Sequence, residues 1–260
     1  MHYLSITAMF RQENRWLKEW IDYHIAQGVE HFYLYDNDEP PGQAVEILRP
    51  YLESKIVECR PIYGTGTQGT MLWDTLNQTA QKTEWLAIID LDEFLLPRNG
   101  ADLRGLLEEY QEFSGLVVNW NIFGTSGYIQ SPPDQINHLL WRAEDSFSVN
   151  RHVKSIVKPH KVNSNMLVSP HIFNYHSGYA VNENMEPVHS PLTDYCGKRI
   201  RLNHYILRSV RDFWDTKVAR GLATPSHARD QNFFDSHDRN EVFDDEISRL
   251  FGTILLTSIK

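Results

Sequence analysis

The chain has 260 residues, of which 41% are apolar, a fraction ordinary for a soluble core. Its formal net charge of -9 argues against a general nucleic-acid-binding protein, because affinity for a phosphate backbone needs clustered lysines and arginines. No apolar run approaches the roughly 20 residues that cross a bilayer, and Cys59 and Cys196 give neither a disulfide framework nor a zinc pattern.

The amino-terminal segment predicts a cytoplasmic protein. MHYLSITAMFRQENRW lacks the charged start, apolar centre and small-residue cleavage site of a signal peptide. The two cysteines also fit a reducing compartment. We therefore expect a cytoplasmic location, with peripheral contact at the inner face of the membrane left open and the oligomeric state undetermined.

Strands and helices alternate through the first part of the sequence. The predicted elements are a strand at 3–9, a helix from 13 that ends at Gly28, a strand from 29 to acids at 36 and 38, a helix at 44–52, a strand at 55–59, a helix at 71–81 and a strand over AIIDLDEFLLP, 87–97. This alternation predicts an α/β fold with a mostly parallel sheet flanked by helices on both faces.

The later part of the sequence is harder to interpret. The predicted elements are a helix at 103–113, a strand at 115–124, short strands in SIVKP and MLVSPHIF, a helix from Ser209 in SVRDFWDTKVARG and a closing helix in NEVFDDEISRLF. No repeat, low-complexity segment or linker separates the two parts. We therefore expect a single domain over residues 1–260.

Acidic residues follow two of the predicted strands directly. Asp36 and Asp38 end one of them, and Asp90 and Asp92 lie in the apolar run of another. Because parallel strands place their carboxyl ends along one edge of a sheet, we expect these acids to gather there. An Asp-x-Asp pair at a strand end suits a hard divalent cation such as Mn²⁺ or Mg²⁺, whereas solvated acids or a helix cap are the plain alternative.

Charge is distributed unevenly along the chain. Acids dominate 74–112 and 235–246, whereas 142–220 is rich in lysine and arginine. One fold could therefore set a carboxylate cluster against a cationic one, although solvated surface charge accounts for most of these residues.

Six segments in order carry a family resemblance. They are FRQENRWLKEWIDYH, GVEHFYLYDND, EWLAIIDLDEFLLP, WNIFGTSGY, RHVKSIVKP and LNHYILRS followed by KVARG. Together they resemble glycosyltransferase family 92 and related bacterial GT-A type (family 2-like) glycosyltransferases, from about residue 6 to beyond 241. The resemblance implies a Rossmann-like GT-A domain with a nucleotide-sugar-binding half at 1–97 and an acceptor-side half at 98–260.

The resemblance also implies site residues. Glu13, Asp36 and Asp38 match positions that hold uracil and ribose, Asp90 and Asp92 match the Mn²⁺ and pyrophosphate site, and His204 matches a late metal ligand. Gln68, Lys154 and Arg220 are further donor-binding residues by this comparison. At Leu72 and Trp73 the chain departs from a Tyr-Asn pair of its relatives, so the donor sugar stays open.

The catalytic base is not identified by the resemblance. An inverting reaction, which the relatives suggest, needs a carboxylate within roughly 3 Å of the attacking hydroxyl. Glu183 in AVNENMEP is our candidate, with Asp134 and Asp194 as rivals, and each of them can also be an ordinary loop acid. Trp120 and Ser126 are candidates for the acceptor side, although core packing accounts equally well for Trp120.

Most of the 12 histidines need no functional explanation. We expect His31, His138 and His227 at the surface. His204 differs from them through its place in LNHY and the cationic segment that follows.

The sequence therefore predicts a metal-dependent glycosyltransferase that moves a sugar, with galactose suggested by relatives, from a UDP-sugar to a glycan or glycolipid. One alternative is a haloacid dehalogenase-like phosphatase with Asp90 as nucleophile and Asp92 as acid. That family places its motif on the first strand with Thr or Val where this chain has Phe94. The second alternative is a non-catalytic carbohydrate-binding protein, which the 7 Trp and 12 Tyr suggest.

Overall fold

A computed structural model describes residues 1–98, 102–166, 169–221 and 229–257, with side chains as far as 252. The strands are β1 (His2–Phe10), β2 (His31–Asp36), β3 (Val57–Pro61), β4 (Thr83–Ile88), β5 (Glu93–Pro97), β6 (Gly115–Ile122), β7 (Trp141–Arg142), β8 (Val153–Val157), β9 (Ala180–Val181), β10 (Pro187–Val188), β11 (Ile200–His204) and β12 (Val242–Phe243). The α-helices are α1 (Asn14–Ala26), α2 (Val45–Glu53), α3 (Gln68–Thr79), α4 (Leu103–Glu108), α5 (Gln231–His237) and α6 (Glu246–Thr257), and a π-helix spans Asp212–Val218.

Four strands of the main sheet are parallel, as the alternating sequence predicts. Their order is β3-β2-β1-β4, with Ser5 opposite His31 and Leu4 opposite Trp85. Beyond β4 the sheet becomes mixed, because β8 runs antiparallel to both β4 and β6. Strand β11 then pairs parallel with β6 and antiparallel with β5.

Helices cover both faces of the parallel strands. On β1, Leu4 and Ile6 point into the core that contains Leu17 of α1 and Leu48 of α2. The next residue, Thr7, points to the other face, where its hydroxyl lies 3.2 Å from that of Thr75 in α3. This alternation is the period of two that a strand imposes, and it confirms the predicted helices on both faces.

Helix α1 joins the first strands to β5. Its apolar residues recur at helical spacing, so that Leu17 and Trp20 are fully buried. The indole of Trp20 donates to the carbonyl of Glu93 (2.9 Å), and Tyr23 donates to that of Leu95 (2.7 Å). The helix ends before Gly28, whose φ of +89° is a conformation that favours glycine.

The segment predicted as one strand over 87–97 is two strands separated by a turn. Strand β4 ends at Ile88, and β5 begins at Glu93 and pairs with β11 instead of continuing the parallel sheet. The amide of Glu93 donates to the carbonyl of Asp90 (3.0 Å) and closes the turn. Asp90 and Asp92 therefore lie in the connection between two strands and not within one continuous strand.

Two predictions on the later half and one on a histidine of the first half need correction. In MLVSPHIF, Ser164–Met166 form a 3₁₀-helix, 167 and 168 lie outside the described residues, and 169–173 form no strand. The helix predicted from Ser209 is mainly the π-helix Asp212–Val218. His31 is buried, not exposed, because its ring stacks on that of His2 and packs at a tilt against that of Tyr33. His138 is half-buried, and His227 lies outside the described residues.

Within the described ranges, no helix has both the length and the apolar character that crossing a membrane requires.

Candidate active site

The turn between β4 and β5 places two aspartates at the edge of the sheet where the parallel strands end. The side chain of Asp90 is 44% exposed, whereas that of Asp92 is 9% exposed. A backbone hydrogen bond holds the turn in place, in which the amide of Tyr205 donates to the carbonyl of Asp92 (2.8 Å). One carboxylate therefore faces the solvent and the other faces the protein.

Asp92 is held between a lysine and a histidine. Its Oδ2 contacts the ammonium of Lys217, which also donates to the carbonyl of Ile206. Its Oδ1 lies 3.6 Å from Nε2 of His204, at the end of β11. Burial would raise the pKa of Asp92, but Lys217 and then His204 outweigh it and hold that pKa well below its usual value. Asp92 is therefore a carboxylate with one oxygen not taken by the lysine.

Asp90 is paired with a buried lysine of β8. The Nζ of Lys154 lies 2.7 Å from Oδ2 of Asp90 and 3.4 Å from Oε2 of Glu93. Burial alone would lower the pKa of Lys154, but Asp90 and Glu93 outweigh it and raise that pKa. Burial raises the pKa of Glu93 to about 8, against the opposing charge of Lys154.

Glu13 lies between two arginines. Its Oε1 is 2.8 Å from Nη1 of Arg208, and its Oε2 is 2.6 Å from Nη1 of Arg220. Burial would raise the pKa of Glu13, but Arg220 and then Arg208 lower it below its ordinary value. Both carboxylate oxygens are engaged by cations, so Glu13 acts in this structure as the counter-ion of the two arginines.

Several cations lie buried or half-buried around the turn. Burial lowers the pKa of Lys217 to about 8, although Asp92 opposes the shift. The pKa of Arg229 is also lowered, first by burial and then by the charge of Arg220. Burial and, for Arg229, the charge of Arg220 thus disfavour the charged forms of these two groups, and an anionic ligand beside them would favour the charged forms.

His204 lies against an aromatic cluster. Its ring meets the edge of Trp120 with 4.5 Å between ring centroids, and Trp120 stacks on His152 at 4.9 Å. Burial lowers the pKa of His204 against the attraction of Asp92. Trp120 therefore lies beside His204, and one of its faces is covered by His152.

The donor atoms fit a divalent cation held by few protein ligands. Carboxylate oxygen and imidazole nitrogen both suit Mn²⁺, and Oδ1 of Asp92 with Nε2 of His204 supplies one of each. Asp90 is engaged by Lys154 in the same structure. Among the described residues no group of three or more His, Cys, Asp or Glu side chains has the arrangement of a complete metal site, so phosphate oxygens or water would have to supply the remaining ligands.

The acids after β2 are engaged by loop backbone. Asp36 accepts hydrogen bonds from the amides of Asp38 (2.9 Å) and Gly42 (2.6 Å). Asp38 accepts from the amide of Gln12 (2.5 Å) and the side chain of Asn14 (3.0 Å). These contacts tie the loop after β2 to the start of α1, beside Glu13. Gln68 is half-buried at the start of α3.

The prediction of Glu183 as catalytic base does not agree with the structure. Its carboxylate is buried and accepts hydrogen bonds from the amides of Lys198 (2.9 Å), Arg199 (2.9 Å) and Ile200 (3.1 Å). Ile200 begins β11, whereas His204 ends it. Glu183 therefore holds the end of β11 that lies opposite His204.

Replacing Glu183 by Gln should lower stability and leave catalysis intact. A glutamine oxygen can keep one amide partner but not all three, and hydrogen bonds to charged groups contribute about 1.5–3 kcal/mol each. We expect a lower midpoint of urea unfolding and an unchanged kcat for hydrolysis of a nucleotide-sugar. A lower kcat with unchanged stability would contradict this expectation and would support Glu183 as a catalytic residue.

Other predicted acids and Ser126 also serve the local structure. Asp134 accepts from the amide of Asn137 (2.9 Å), and the side chain of Asp194 is 99% exposed and pairs with Arg151. The hydroxyl of Ser126 accepts from the amide of Trp141 (3.0 Å). The described contacts bring none of these three to Asp92.

Sequence reasoning missed Lys217, Arg208 and Glu93 as members of the site. Lys217 lies in a π-helix, a feature frequent at functional sites, but its sequence predicts only a helix. Arg208 has a φ of +61°, which is strained for a non-glycine residue, and its guanidinium lies 5.0 Å from the ring of Trp16. Of these three residues, only Glu93 had a signal in the sequence, because it directly follows Asp92.

The two best-defined cavities lie away from these carboxylates. One, of about 360 Å³, is lined by Arg15, Gln130, Ser131, Arg211, Asp212, Asp215 and Thr216. The other, of about 280 Å³, is lined by residues from Ile172 to His189. Because neither includes Asp90 or Asp92, we assign the site by its charges and not by cavity size.

Comparison with known proteins gives a consistent family. The sequence profile of glycosyltransferase family 92 matches residues 2–240. A glycosyltransferase family 92 protein of Ricinus communis is 28% identical over 184 residues, which cover 68% of this chain and 32% of the relative. One of Arabidopsis thaliana is 26% identical over 235 residues, covering 86% and 38%. The chain thus spans about a third of the length of these curated relatives.

Solved structures show more distant similarity. HddC of Yersinia pseudotuberculosis aligns with a TM-score of 0.41 and 9% identity, covering 85% of this chain and 100% of that one. TarS of S. aureus aligns with a TM-score of 0.40 and 13% identity, covering 65% and 32%.

Proposed function

The chain belongs to glycosyltransferase family 92, and we propose on that premise that it transfers a sugar from a nucleoside diphosphate carrier to a hydroxyl group of a glycan or glycolipid. The supporting observation is the pairing of the buried lysines Lys154 and Lys217 with Asp90 and Asp92, in the turn at the carboxyl edge of the parallel strands. Open α/β sheets bind ligands at this edge.

The charges fit the needs of such a reaction. When the bond between sugar and diphosphate breaks, the diphosphate gains negative charge while the sugar carbon becomes cationic. Lys154, Lys217 and Arg220 are buried or nearly so, and each already faces a carboxylate at the turn or at Glu13. In a site with little water these cations stabilise the leaving diphosphate more than they would in solution.

A divalent cation, Mn²⁺ or Mg²⁺, bound by Asp92 and His204 would add Lewis-acid stabilisation of the diphosphate, worth several kcal/mol. Asp90 is the more exposed acid. In the proposed complex Lys154 contacts a phosphate group, and Asp90 is then available to the same cation and diphosphate. The loop acids Asp36 and Asp38, together with Gln68 and Glu13, are the proposed nucleoside side of the donor site, an assignment that the family resemblance supports.

The finer assignments rest on the family resemblance. UDP as the carrier, galactose as the sugar and inversion at its anomeric carbon are proposals of this kind. Trp120 is the proposed acceptor-side wall, because the face of an aromatic ring suits a sugar ring. A cytoplasmic location with peripheral membrane contact is proposed from the two free cysteines, Cys59 and Cys196, and from the glycan or glycolipid acceptor.

Thermal unfolding with nucleotides tests this proposal directly. We expect UDP with Mn²⁺ to raise the melting temperature, since a ligand at 100 times its Kd stabilises the native state by about 2.7 kcal/mol. Uridine alone should raise it less, because it lacks the diphosphate. A screen of UDP-sugars for Mn²⁺-dependent hydrolysis then identifies the donor. If no nucleotide shifts the melting temperature and no nucleotide-sugar is hydrolysed, the proposal fails.

The phosphatase and carbohydrate-binding alternatives have less support. A phosphatase of the haloacid dehalogenase type carries its Asp-x-Asp after the first strand, whereas here the pair follows β4. A binding module has no use for paired buried lysines and aspartates. Release of inorganic phosphate from a simple phosphoester would favour the phosphatase.

A further inference from the structure

Two buried atoms of complementary character face each other behind Asp92. Oε1 of Glu93 and Nδ1 of His204 are 3.8 Å apart, and within the described part of the chain neither has a hydrogen-bond partner. This separation is longer than the roughly 3.2 Å limit of a good hydrogen bond. An unpaired buried polar atom costs about 1–3 kcal/mol, so a small rotation of the ring that brings the two together is favourable.

Glu93 is well placed to hold the histidine. It is fully buried and lies opposite His204 in the antiparallel pairing of β5 with β11. Its other oxygen, Oε2, accepts a hydrogen bond from the amide of Asp90 (2.8 Å). One carboxylate therefore touches both the turn that carries the aspartates and the ring that faces them.

The ring of His204 has limited freedom on its other sides. Trp120 lies against it edge to face, and the carbonyl of His204 accepts from the amide of Phe123 (3.0 Å). Its Nε2 is directed at Oδ1 of Asp92, 3.6 Å away. A hydrogen bond from Nδ1 of His204 to Glu93 would fix the ring with Nε2 directed at Asp92.

We propose that Glu93 is a positioning residue, which hydrogen-bonds Nδ1 of His204 and thereby aims Nε2, beside the free oxygen of Asp92, at a divalent cation. Histidines that bind metals generally have their other ring nitrogen hydrogen-bonded, often to a carboxylate, and loss of that partner weakens metal affinity about 10–100-fold. The inference rests on the proposed function, because it concerns the cation that would accompany the nucleotide.

The test uses Glu93→Gln and titration with Mn²⁺ alone, followed by electron paramagnetic resonance of the free ion. We expect Mn²⁺ affinity to fall about 10–100-fold, with the fold retained by circular dichroism. Glu183→Gln is the matched control, since it alters a buried carboxylate at the opposite end of β11. Its Mn²⁺ affinity should equal that of the unmodified protein.

A spectroscopic readout separates positioning from general stability. With Zn²⁺ as a diamagnetic substitute, ¹⁵N spectra of the unmodified protein should show His204 protonated at Nδ1 and shifted at Nε2. Glu93→Gln should displace the Nδ1 resonance, and Glu183→Gln should not. The spectrum of the unmodified protein decides the matter if Glu93→Gln fails to fold, because a proton on Nε2 in the Zn²⁺ form overturns the inference.

The inference and the proposed function can fail separately. If UDP binds but Mn²⁺ affinity and the His204 resonances are the same in Glu93→Gln as in the unmodified protein, Glu93 has no positioning role and the transferase proposal stands. If neither Mn²⁺ nor UDP binds to the unmodified protein, both are wrong.

Discussion

Replacing Asp92 by Asn should reduce sugar transfer, or hydrolysis of the nucleotide-sugar, by about 100-fold or more. The carboxylate carries the charge that holds Lys217 and faces His204, and an amide removes that charge while keeping the shape. A loss of about 3 kcal/mol in stabilisation of the leaving diphosphate corresponds to about 100-fold in rate. The measurement is kcat/KM with the best donor from the UDP-sugar screen.

The matched control for this variant is Asp145→Asn, which removes an exposed carboxylate paired with Arg142 at 2.8 Å. Its kcat/KM should not change. Asp90→Asn should have an intermediate effect, because Asp90 is the more exposed acid. Activity of Asp92→Asn within tenfold of the unmodified protein would contradict the assignment of the site to this turn.

Replacing Glu13 by Ala should cost about 3–5 kcal/mol of folding stability, the usual cost of breaking a buried ion pair from one side. The change leaves the guanidiniums of Arg208 and Arg220 without their shared counter-ion. Arg208 has no exposed position available, since it is fully buried with a strained backbone. Urea unfolding, followed by circular dichroism, measures the loss.

Glu46→Ala is the control for Glu13. Glu46 also pairs with an arginine, Arg49, but its side chain is 72% exposed, and exposed pairs contribute about 0–1 kcal/mol. Saturating UDP should recover part of the stability of Glu13→Ala, because a diphosphate can replace the missing negative charge. Equal losses for the two variants would show that Glu13 is not the counter-ion of the buried arginines.

The first half of the fold could be predicted from sequence because its signals are local. The helical spacing of Leu17 and Trp20, the glycine after α1 and the apolar runs before each acid all act within one element. The split of 87–97 was missed for the opposite reason. Apolar residues flank the acids on both sides, and the pairing of β5 with β11 depends on residues about a hundred positions later.

The candidate site was only partly predictable for a similar reason. Asp90 and Asp92 stand out by their place after an apolar run, whereas the role of Glu183 depends on amides 15 to 17 positions away. Lys217 has the sequence context of a surface lysine, and only the tertiary contact with Asp92 shows that it is buried. Charge pairs between distant segments leave no periodic pattern in the chain.

The order in which the charged partners occur in the chain has a consequence for biosynthesis. Asp90 precedes Lys154 by 64 positions, and Asp92 precedes Lys217 by 125. A chain emerging from the ribosome therefore exposes its acidic turn long before the neutralising lysines are made, and domains fold as units during synthesis. Strand β5 lacks its partner β11 over the same interval. The charge cluster around the Asp90–Asp92 turn is thus completed only after Lys217 and β11 have been synthesised.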